Sequence, residues 1–249
     1  MTFTFTYKNK NYQIDTDKPL DISIPVKAST PTVNAWYLDP PEITPVQNED
    51  WIAKVSEGAS VNFNMIHFNP HSHGTHTECV GHITPESRNI NDSLHRFFFM
   101  AEVISIQPQQ QNNDMLITRK QLEASIKSQP EALVIRTLPN TDTKKYRNYS
   151  HTNWPYIAEE AALFLRELAI DHLLIDLPSI DKEKDEGKIL AHKAFWNYPE
   201  APRTHATITE LIYVSFEILD GPYLLNLQTS SFENDAAPSR PVLYEIKEV

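Results

Sequence analysis

Short apolar runs separated by polar or proline-rich stretches predict several β-strands along the chain. The opening MTFTFTYKNKNYQI (1–14) alternates apolar and polar residues, which is typical of an edge strand or a hairpin. Farther along, three runs rich in branched side chains favour strands buried on both faces: EALVIRT (131–137), DHLLIDL (171–177) and LIYVSFEIL (211–219). The closing NLQTSSFENDAAPSRPVLYEIKEV (226–249) predicts a strand, a loop and a strand.

Two segments have the spacing of amphipathic helices. In TRKQLEASIKS (118–128), Thr118 and Gln121 are spaced as a capping box. In NWPYIAEEAALFLRELAI (153–170), Pro155 suits a first helical turn. Apolar side chains then recur on one face of that predicted helix: Ile157, Ala161, Phe164, Leu165 and Leu168.

The most polar stretches predict solvated loops between these elements: QPQQQNND (107–114), TDTKKYRNYS (141–150) and DKEKDEGK (181–188). Strands alternate with helices in the middle of the chain, and both ends are strand-like. No repeat and no long linker divides the sequence. We therefore predict one α/β domain over residues 1–249.

Composition and charge narrow the classes of function. The chain has 40% hydrophobic and 22% charged residues, an ordinary globular composition, and a formal net charge of −11. An acidic surface repels phosphate, so we expect no nucleic acid and no anionic membrane among its partners. No apolar run approaches the roughly 18 residues that span a bilayer, and the opening has no secretory apolar region. The single cysteine, Cys79, excludes an internal disulfide, so we expect a soluble cytoplasmic protein.

Six of the ten histidines lie within 29 residues, far more than even spacing would place there: His67, His71, His73, His76, His82 and His95. Gly74 would let the backbone of NPHSHGTHTECVGH (69–82) turn sharply and bring flanking side chains together. His76 and Glu78 are two apart, so in an extended chain they point to one side, and His82 is in phase with them. Imidazole and carboxylate together favour zinc, manganese or iron over calcium or magnesium. The segment therefore predicts a metal site.

Some residues of this stretch have simpler interpretations. His67 and His95 lie outside the tight cluster and are interpreted as ordinary residues. Cys79 points opposite to Glu78 in a strand, so a small buried apolar side chain is favoured over a nucleophile or a ligand. Competing catalytic motifs are missing from the sequence: there is no G-x-S-x-G elbow, no Gly-rich phosphate loop and no H-E-x-x-H.

The cluster resembles the cyclase family of metal-dependent hydrolases, whose best-known members are bacterial kynurenine formamidases. The family signature is H-x-G-T-H-x-D-x-P-x-H, and the residues that fall at its spacing are Gly74, Thr75, His76, Glu78 and His82. The resemblance continues in order through ALVIRT, AEEAALFLREL, IDLPSID (175–181), His192, Glu210 in TITEL, and APSRPVLYEI. It implies an α/β fold with a central mixed, barrel-like sheet flanked by helices.

The resemblance also implies a site. A first divalent metal would be held by the leading histidine, His76 and Glu78. A second would share Glu78 and take His192 and Glu210. His82 matches the family's catalytic histidine. The resemblance implies one or two ions per chain, with zinc favoured and manganese or iron as alternatives. Members of the family are commonly homo-oligomers, which predicts a homodimer or homotetramer.

Four positions depart from the family pattern. The leading histidine is replaced by Ser72, and His71 and His73 flank it. We favour His71 as the ligand, because His73 abuts Gly74 and would point away. The other departures are Glu78 for aspartate, Val80 for proline and Leu211 for asparagine. Imidazole and carboxylate groups are still available to bind a metal despite these departures. The identity of the substrate does not follow from them.

We therefore predict a metal-dependent hydrolase of an amide bond, in an aryl formamide or a cyclic amide or imide. Metal-activated water would attack, with His82 as general acid–base. Two alternatives stay open: lactone hydrolysis or cyclisation at the same site, and a non-catalytic protein that binds metal or a small molecule. Candidates for an aromatic substrate wall are Trp36, Tyr37 and Trp154, although core or oligomer packing is favoured for each. Asp176 and Asp181 would either orient ligands or shape turns at strand ends.

Overall fold

The computed structural model describes residues 1–249 and contains seventeen β-strands and three short α-helices. The first strands are β1 (Thr2–Tyr7), β2 (Lys10–Asp15), β3 (Leu20–Asp21), β4 (Glu42–Pro45), β5 (Asn64–His67), β6 (His76–Cys79), β7 (Phe98–Ile106), β8 (Gln109–Gln111) and β9 (Asp114–Ile117). The others are β10 (Ala132–Thr137), β11 (Tyr156–Ile157), β12 (His172–Ile175), β13 (Thr207–Glu210), β14 (Gly221–Asn226), β15 (Ala236–Pro238), β16 (Val242–Glu245) and β17 (Lys247–Glu248). The helices are α1 (Arg119–Ser125), α2 (Glu159–Glu167) and α3 (Leu190–Trp196).

Nine strands form one mixed sheet in the order β15-β6-β13-β12-β10-β7-β14-β16-β3. Its central strands β13, β12, β10 and β7 run parallel to one another. Strands β6 and β15 add to one side in antiparallel pairs, and β14, β16 and β3 add to the other. The sheet curls into a half-barrel, so the predicted α/β fold with a central mixed, barrel-like sheet is confirmed.

Strands β10 and β12 are buried on both faces, as their apolar runs predict. Every residue of both strands is buried. In β10, Leu133 and Ile135 belong to the apolar cluster that includes the helices, and Val134 belongs to the cluster on the opposite face. Burial of each large aliphatic side chain contributes about 1.5–3 kcal/mol. This core on two faces therefore holds the parallel strands that carry the site.

Both predicted helices are present, and one begins later than expected. The capping box of α1 is confirmed: the Thr118 hydroxyl accepts from the Gln121 N–H, and the Gln121 side chain accepts from the Thr118 N–H. Helix α2 begins at Glu159, because Tyr156–Ile157 pair with β9 as a short parallel strand. The prediction that Pro155 lies in the first helical turn is therefore wrong.

The segment LIYVSFEIL (211–219) is not a strand, contrary to its apolar pattern. Strand β13 ends at Glu210, and Leu211 has a left-handed backbone with a φ of 54°. The Arg136 guanidinium donates to the carbonyl of Ile218 at 2.7 Å and stabilises the irregular loop that follows. Four apolar residues of the segment are buried, so the pattern reflects burial and not strand pairing.

The two ends of the chain pair with each other. Strands β1 and β2 form the predicted amino-terminal hairpin, and β17 joins β2 as the third strand. Of the predicted loops, 141–150 and 181–188 contain no strand, whereas 107–114 forms β8 and begins β9 of a hairpin. None of the three helices has the length and the apolar character that a membrane span requires.

Candidate metal centre

Strand β6 carries two of the predicted ligands. His76 and Glu78 are both fully buried in this strand, which lies between β13 and β15. Cys79 belongs to an apolar cluster, as its position in the alternation predicts. The strand register places His76 opposite Glu210 of β13. Predicted ligands from two distant segments thus meet across one strand pair.

The turn before β6 is built on Asn69, and the backbone bends again at Gly74. The Asn69 carbonyl accepts from the His73 N–H, and its side chain accepts from the His71 N–H. Gly74 does not have a left-handed backbone. Its role is a close approach, because a Cβ at Gly74 would lie 2.9 Å from the carbonyl oxygen of Ile24.

The two histidines that flank Ser72 have different surroundings. Nδ1 of His71 lies 3.2 Å from Oε2 of Glu78. His73 uses its Nδ1 to accept from the Asn69 N–H at 2.9 Å and makes no contact with Glu78. The structure therefore brings His71, and not His73, to the cluster.

Two buried side-chain atoms of β6 have no hydrogen-bond partner, Nε2 of His76 and Oε2 of Glu78. The His76 Nδ1–H donates to the Gly74 carbonyl at 3.1 Å, so Nε2 carries the lone pair. An unpaired buried lone pair and an unpaired carboxylate oxygen are costly unless a cation binds them. Oε2 of Glu210 lies close, 3.5 Å from Nε2 of His76. This donor set fits a divalent metal such as zinc.

Helix α3 brings His192 to the other oxygen of Glu78. Nε2 of His192 lies 3.0 Å from Oε1 of Glu78, and its Nδ1–H donates to Asp181 at 2.5 Å. Asp181 also accepts from the backbone N–H of His192, which fixes the ring in place. A carboxylate that orients a histidine in this way is common in metal sites. Glu210 accepts from the Ile180 N–H at 2.9 Å and lies 3.9 Å from Nε2 of His192.

Of the two aspartates that follow β12, Asp181 contacts this cluster and Asp176 does not. Asp176 is buried and paired with Lys144 at 2.7 Å, and it accepts from the Thr137 hydroxyl at 2.8 Å. Burial raises the pKa of Asp176, although Lys144 and Thr137 act in the opposite direction. Asp176 therefore joins the ends of β10 and β12 and takes no part in the centre.

His82 lies one short turn after β6 and is the most exposed imidazole of the cluster. Its Nε2 is 3.8 Å from Oε2 of Glu78. Its Nδ1–H donates to Oδ2 of Asp235 at 3.0 Å, and the Nε2–H of His71 donates to the same oxygen at 3.0 Å. Asp235 was missed by the sequence reasoning, because it lies in a polar loop 153 residues from His82. Asp235 directly precedes β15, the strand that pairs with β6, and this position marks it as a candidate site residue.

The sequence profile of the Cyclase family matches residues 20–182. The chain belongs to the Cyclase family. It is 25% identical over 233 residues to the kynurenine formamidases of Bacillus mycoides and Bacillus cereus, which covers 93% of this chain and 99% of each relative. The family predicted from the histidine cluster is therefore confirmed. His192, Glu210 and Asp235 lie beyond the matched residues and are placed here by the fold.

Solved structures with the same fold include two hydrolases. An isatin hydrolase bound to the product analogue thioisatinate has a TM-score of 0.66 and 17% identity, covering 92% of this chain and 93% of that chain. A potential metal-dependent hydrolase with cyclase activity has a TM-score of 0.65 and 17% identity, covering 91% of this chain and 97% of that chain. At this identity the likeness establishes the Cyclase fold over nearly the whole chain.

The buried charges of this Cyclase centre depend on one another. Burial lowers the pKa of His71, but the hydrogen bond to Asp235 and the nearby charge of Glu78 outweigh it and raise the pKa to about 10. Burial also lowers the pKa of His192, and its contacts with Asp181 and Glu78 raise it well above the ordinary value. Protons on these rings balance the buried carboxylates. A cation that binds here has to replace such protons, so metal binding releases protons.

The candidate aromatic residues pack against one another and against polar groups. Trp154 is buried, and its indole N–H donates to the Asp181 carbonyl at 3.0 Å. Trp36 packs edge-on against Trp154 at a centroid distance of 4.9 Å. The hydroxyl of the exposed Tyr37 donates to Glu183 at 2.7 Å. Core packing, the favoured interpretation, therefore describes Trp154 and its neighbour Trp36.

Proposed function

We propose that this chain is a metal-dependent hydrolase of a carbon–nitrogen bond other than a peptide bond, similar to kynurenine formamidase. The observation that carries the proposal is the pair of unpartnered buried atoms, Nε2 of His76 and Oε2 of Glu78. Three further imidazoles surround Glu78, those of His71, His82 and His192. Membership of the Cyclase family, the kynurenine formamidase relatives and the isatin hydrolase neighbour support the same reaction class.

The proposed ligands of a first divalent ion are His71, His76 and Glu78, whose donor atoms lie within 4.8 Å of one another. A second ion would share Glu78 and take His192 and Glu210. We favour zinc, since imidazole and carboxylate donors suit it, and manganese or iron use the same donors. When bound, the ion supplies Lewis acidity that lowers the pKa of water and polarises a carbonyl.

His82 is the proposed general acid–base. Its Nε2 lies 3.8 Å from Glu78 while 35% of its side chain is exposed, so the ring connects the buried cluster with solvent. It would take a proton from the attacking water and return it to the leaving nitrogen. The hydrogen bond from the Ile180 N–H keeps the carboxylate of Glu210 in a fixed position beside His76.

The proposed substrate is a small molecule with an aryl formamide group, because the kynurenine formamidase relatives match this chain over 93% of its length. A cyclic amide is the second candidate, and the isatin hydrolase neighbour favours it. Lactone hydrolysis or cyclisation would use the same residues. A purely structural metal needs no additional imidazole, so the partly exposed His82 argues against a non-catalytic binding protein.

We also propose that the chain forms a homodimer or homotetramer in the cytoplasm. Strands β4 and β5 form a separate two-stranded sheet, here called the β4–β5 arm. Large apolar side chains on and beside the arm are exposed: Ile43, Phe63, Met65 and Ile66. Ile43 and Ile66 pair across the two strands, and Met65 points to the opposite face of the arm. Several large apolar side chains exposed together are typical of a contact between protein chains. Cys79 is unpaired, which supports a reducing compartment.

Elemental analysis of protein never exposed to a chelator or to metal-affinity resin tests the proposed centre. We expect about two ions per chain in the wild type and fewer in His76→Ala and Glu210→Ala, because each change removes a proposed ligand. His82→Ala should keep its metal and lose about 10²–10⁴-fold in turnover of an aryl formamide, the usual contribution of a general acid–base.

Other results would change particular assignments. Metal lost only in His76→Ala would remove Glu210 from the site, and metal lost in His82→Ala would make His82 a ligand. Absence of metal under every loading condition would contradict the hydrolase proposal. Full metal content without turnover of any formamide, imide or lactone would favour the non-catalytic alternative.

A further inference from the structure

Two of the imidazoles around Glu78 have one ring nitrogen held by an acceptor. The Nδ1–H of His76 donates to the Gly74 carbonyl, and the Nδ1–H of His192 donates to Asp181. Each bond determines which nitrogen carries the proton, because an acceptor oxygen needs a donor. The other nitrogen of each ring, Nε2, then faces the cluster and is the atom that would bind a cation in place of a proton.

The Asp235 carboxylate accepts hydrogen bonds from two imidazole rings at once. One carboxylate oxygen, Oδ2, accepts from Nε2 of His71 and from Nδ1 of His82, both at 3.0 Å. These rings lie side by side, with centroids 4.4 Å apart and planes inclined by 30°. The shared oxygen therefore links a proposed metal ligand to the proposed general acid–base.

The backbone around Asp235 is fixed to the strand that carries the ligands. The Asp235 carbonyl accepts from the Cys79 N–H at 3.0 Å. The next residue, Ala236, pairs with Glu78 where β15 joins β6. The backbone of Asp235 is thus tied to β6 at the residues next to Glu78.

We propose that Asp235 is the positioning residue of His82. It keeps the His82 ring in the tautomer that is protonated at Nδ1, so that Nε2 faces Glu78 as the proton acceptor. When His82 takes a proton from water, the resulting imidazolium stays beside a carboxylate, which stabilises its charge. The inference rests on the proposed function for the role of His82, but the pairing itself does not depend on the substrate.

Asp235→Asn tests the inference, because asparagine keeps the size of the side chain and removes its charge. Glu233→Gln is the matched control: it removes the same charge two residues away, from an exposed side chain that contacts none of the cluster. Zinc-loaded wild type and both variants are compared by zinc content, thermal unfolding, and kcat and KM for an aryl formamide. Nitrogen-15 NMR of labelled histidine reports the His82 tautomer, with His82→Gln identifying its signals.

We expect Asp235→Asn to retain zinc and fold, to lose about 10–100-fold in kcat with an unchanged KM, and to lose the Nδ1–H form of His82. Glu233→Gln should match the wild type in every measurement. A wild-type His82 protonated at Nε2 alone would overturn the inference even if Asp235→Asn failed to fold. A kcat of Asp235→Asn equal to that of Glu233→Gln would also overturn the inference. Loss of zinc from Asp235→Asn would overturn it too, because Asp235 would then support only the proposed ligand His71.

The two proposals fail in different ways. A wild type that holds zinc, has His82 protonated at Nδ1 and hydrolyses no substrate would contradict the proposed function, while the pairing of Asp235 with His82 would stand. An active wild type whose tautomer and kcat do not respond to Asp235→Asn would contradict the positioning role alone.

Discussion

Histidine shows how burial and nearby carboxylates place one residue type in different states. Burial lowers the pKa of His172 to about 4, and its ring packs on Phe99 at a centroid distance of 3.9 Å. His71 has two carboxylates in contact, and its pKa rises to about 10. His67 and His95 are exposed, in keeping with their interpretation as ordinary residues. Histidine content alone therefore predicts neither charge nor function.

His172 should make the stability of the fold depend on pH. Its pKa of 6.5 in an ordinary setting falls to about 4 in the folded protein, so between these values the unfolded chain binds a proton that the folded one does not. The stability from neutral His172 is complete above pH 6.5 and is lost as the pH falls toward 4. The total change is about 3 kcal/mol. We expect His172→Gln to flatten the free energy of unfolding against pH in this window, as measured with urea.

His67→Gln is the control for this experiment, because His67 is exposed and does not act on His172, so its removal should leave the wild-type slope. Parallel curves of unfolding free energy against pH for wild type and His172→Gln would refute the proposed pH dependence.

Glu78 replaces the aspartate of the family pattern, and both of its oxygens face imidazoles. Oε1 lies 3.0 Å from His192, and Oε2 lies 3.2 Å from His71. Burial raises the pKa of Glu78, but the neighbouring imidazoles of His82, His192 and His71 outweigh it, so the pKa is well below the usual range. The longer side chain therefore still supplies a charged carboxylate to both proposed metal positions.

Among the helices, the sequence predicted the features that depend on contacts between neighbouring residues. The capping box of α1 joins Thr118 and Gln121, three residues apart, and the sequence alone located it. The start of α2 depends on the pairing of Tyr156–Ile157 with β9, which no helical periodicity encodes. Local patterns therefore predict an element's type better than its ends.

The end of β13 at Leu211 was likewise not predicted from the local pattern. Its φ of 54° is left-handed, a conformation that asparagine adopts more readily than leucine. This gives a physical reason for the asparagine in the family pattern. Here Leu211 is buried in a cluster with Trp154, and that burial offsets the strain of the turn.

Gly74 should be required for the approach of β6 to the segment that contains Ile24. A Cβ at position 74 would lie 2.9 Å from the Ile24 carbonyl oxygen and 3.0 Å from Cγ2 of Val26, so backbone must move. We expect Gly74→Ala to lower the free energy of unfolding by about 1–3 kcal/mol, the usual result of overpacking. Chemical denaturation of metal-free protein measures it. An unchanged denaturation midpoint for Gly74→Ala would mean that the segment containing Ile24 and Val26 can move to make room for the Cβ.

At the scale of the whole molecule, the β4–β5 arm is the feature that the single chain does not explain. Met65 is 64% exposed and Phe63 is 59% exposed, although both are large and apolar. The arm pairs only within itself and is separate from the nine-stranded sheet. A second copy of the chain would cover this surface, consistent with the proposed homo-oligomer.

Light scattering coupled to size exclusion tests the assembly. We expect a mass of two or four times 28.6 kDa for the wild type and a lower mass for Met65→Lys, because a charge in an apolar contact is costly. Leu219→Lys is the control, since Leu219 is 71% exposed but lies outside the arm. A monomeric wild type would contradict the oligomer, and an unchanged mass for Met65→Lys would place the interface elsewhere.

The family, the α/β class and the placement of His76 and Glu78 on one side of a strand were all predicted from the sequence alone. These properties are encoded in spacings of a few residues, where backbone geometry alone decides which side chains lie together. The five proposed ligands were all named from the sequence, but His192 and Glu210 came from the family pattern and not from any local signal. Their roles stay predictions until metal content is measured.

Three features follow only from the folded chain: His71 and not His73 faces the cluster, Asp181 orients His192, and Asp235 joins His71 to His82. The contacts of His192 with Glu78 and of His82 with Asp235 span 114 and 153 residues of chain. Helix α3 brings His192 to Glu78, and the pairing of β15 with β6 brings Asp235 to His82. Strand pairing over such separations depends on the packing of the whole sheet, and no pattern among neighbouring residues records it.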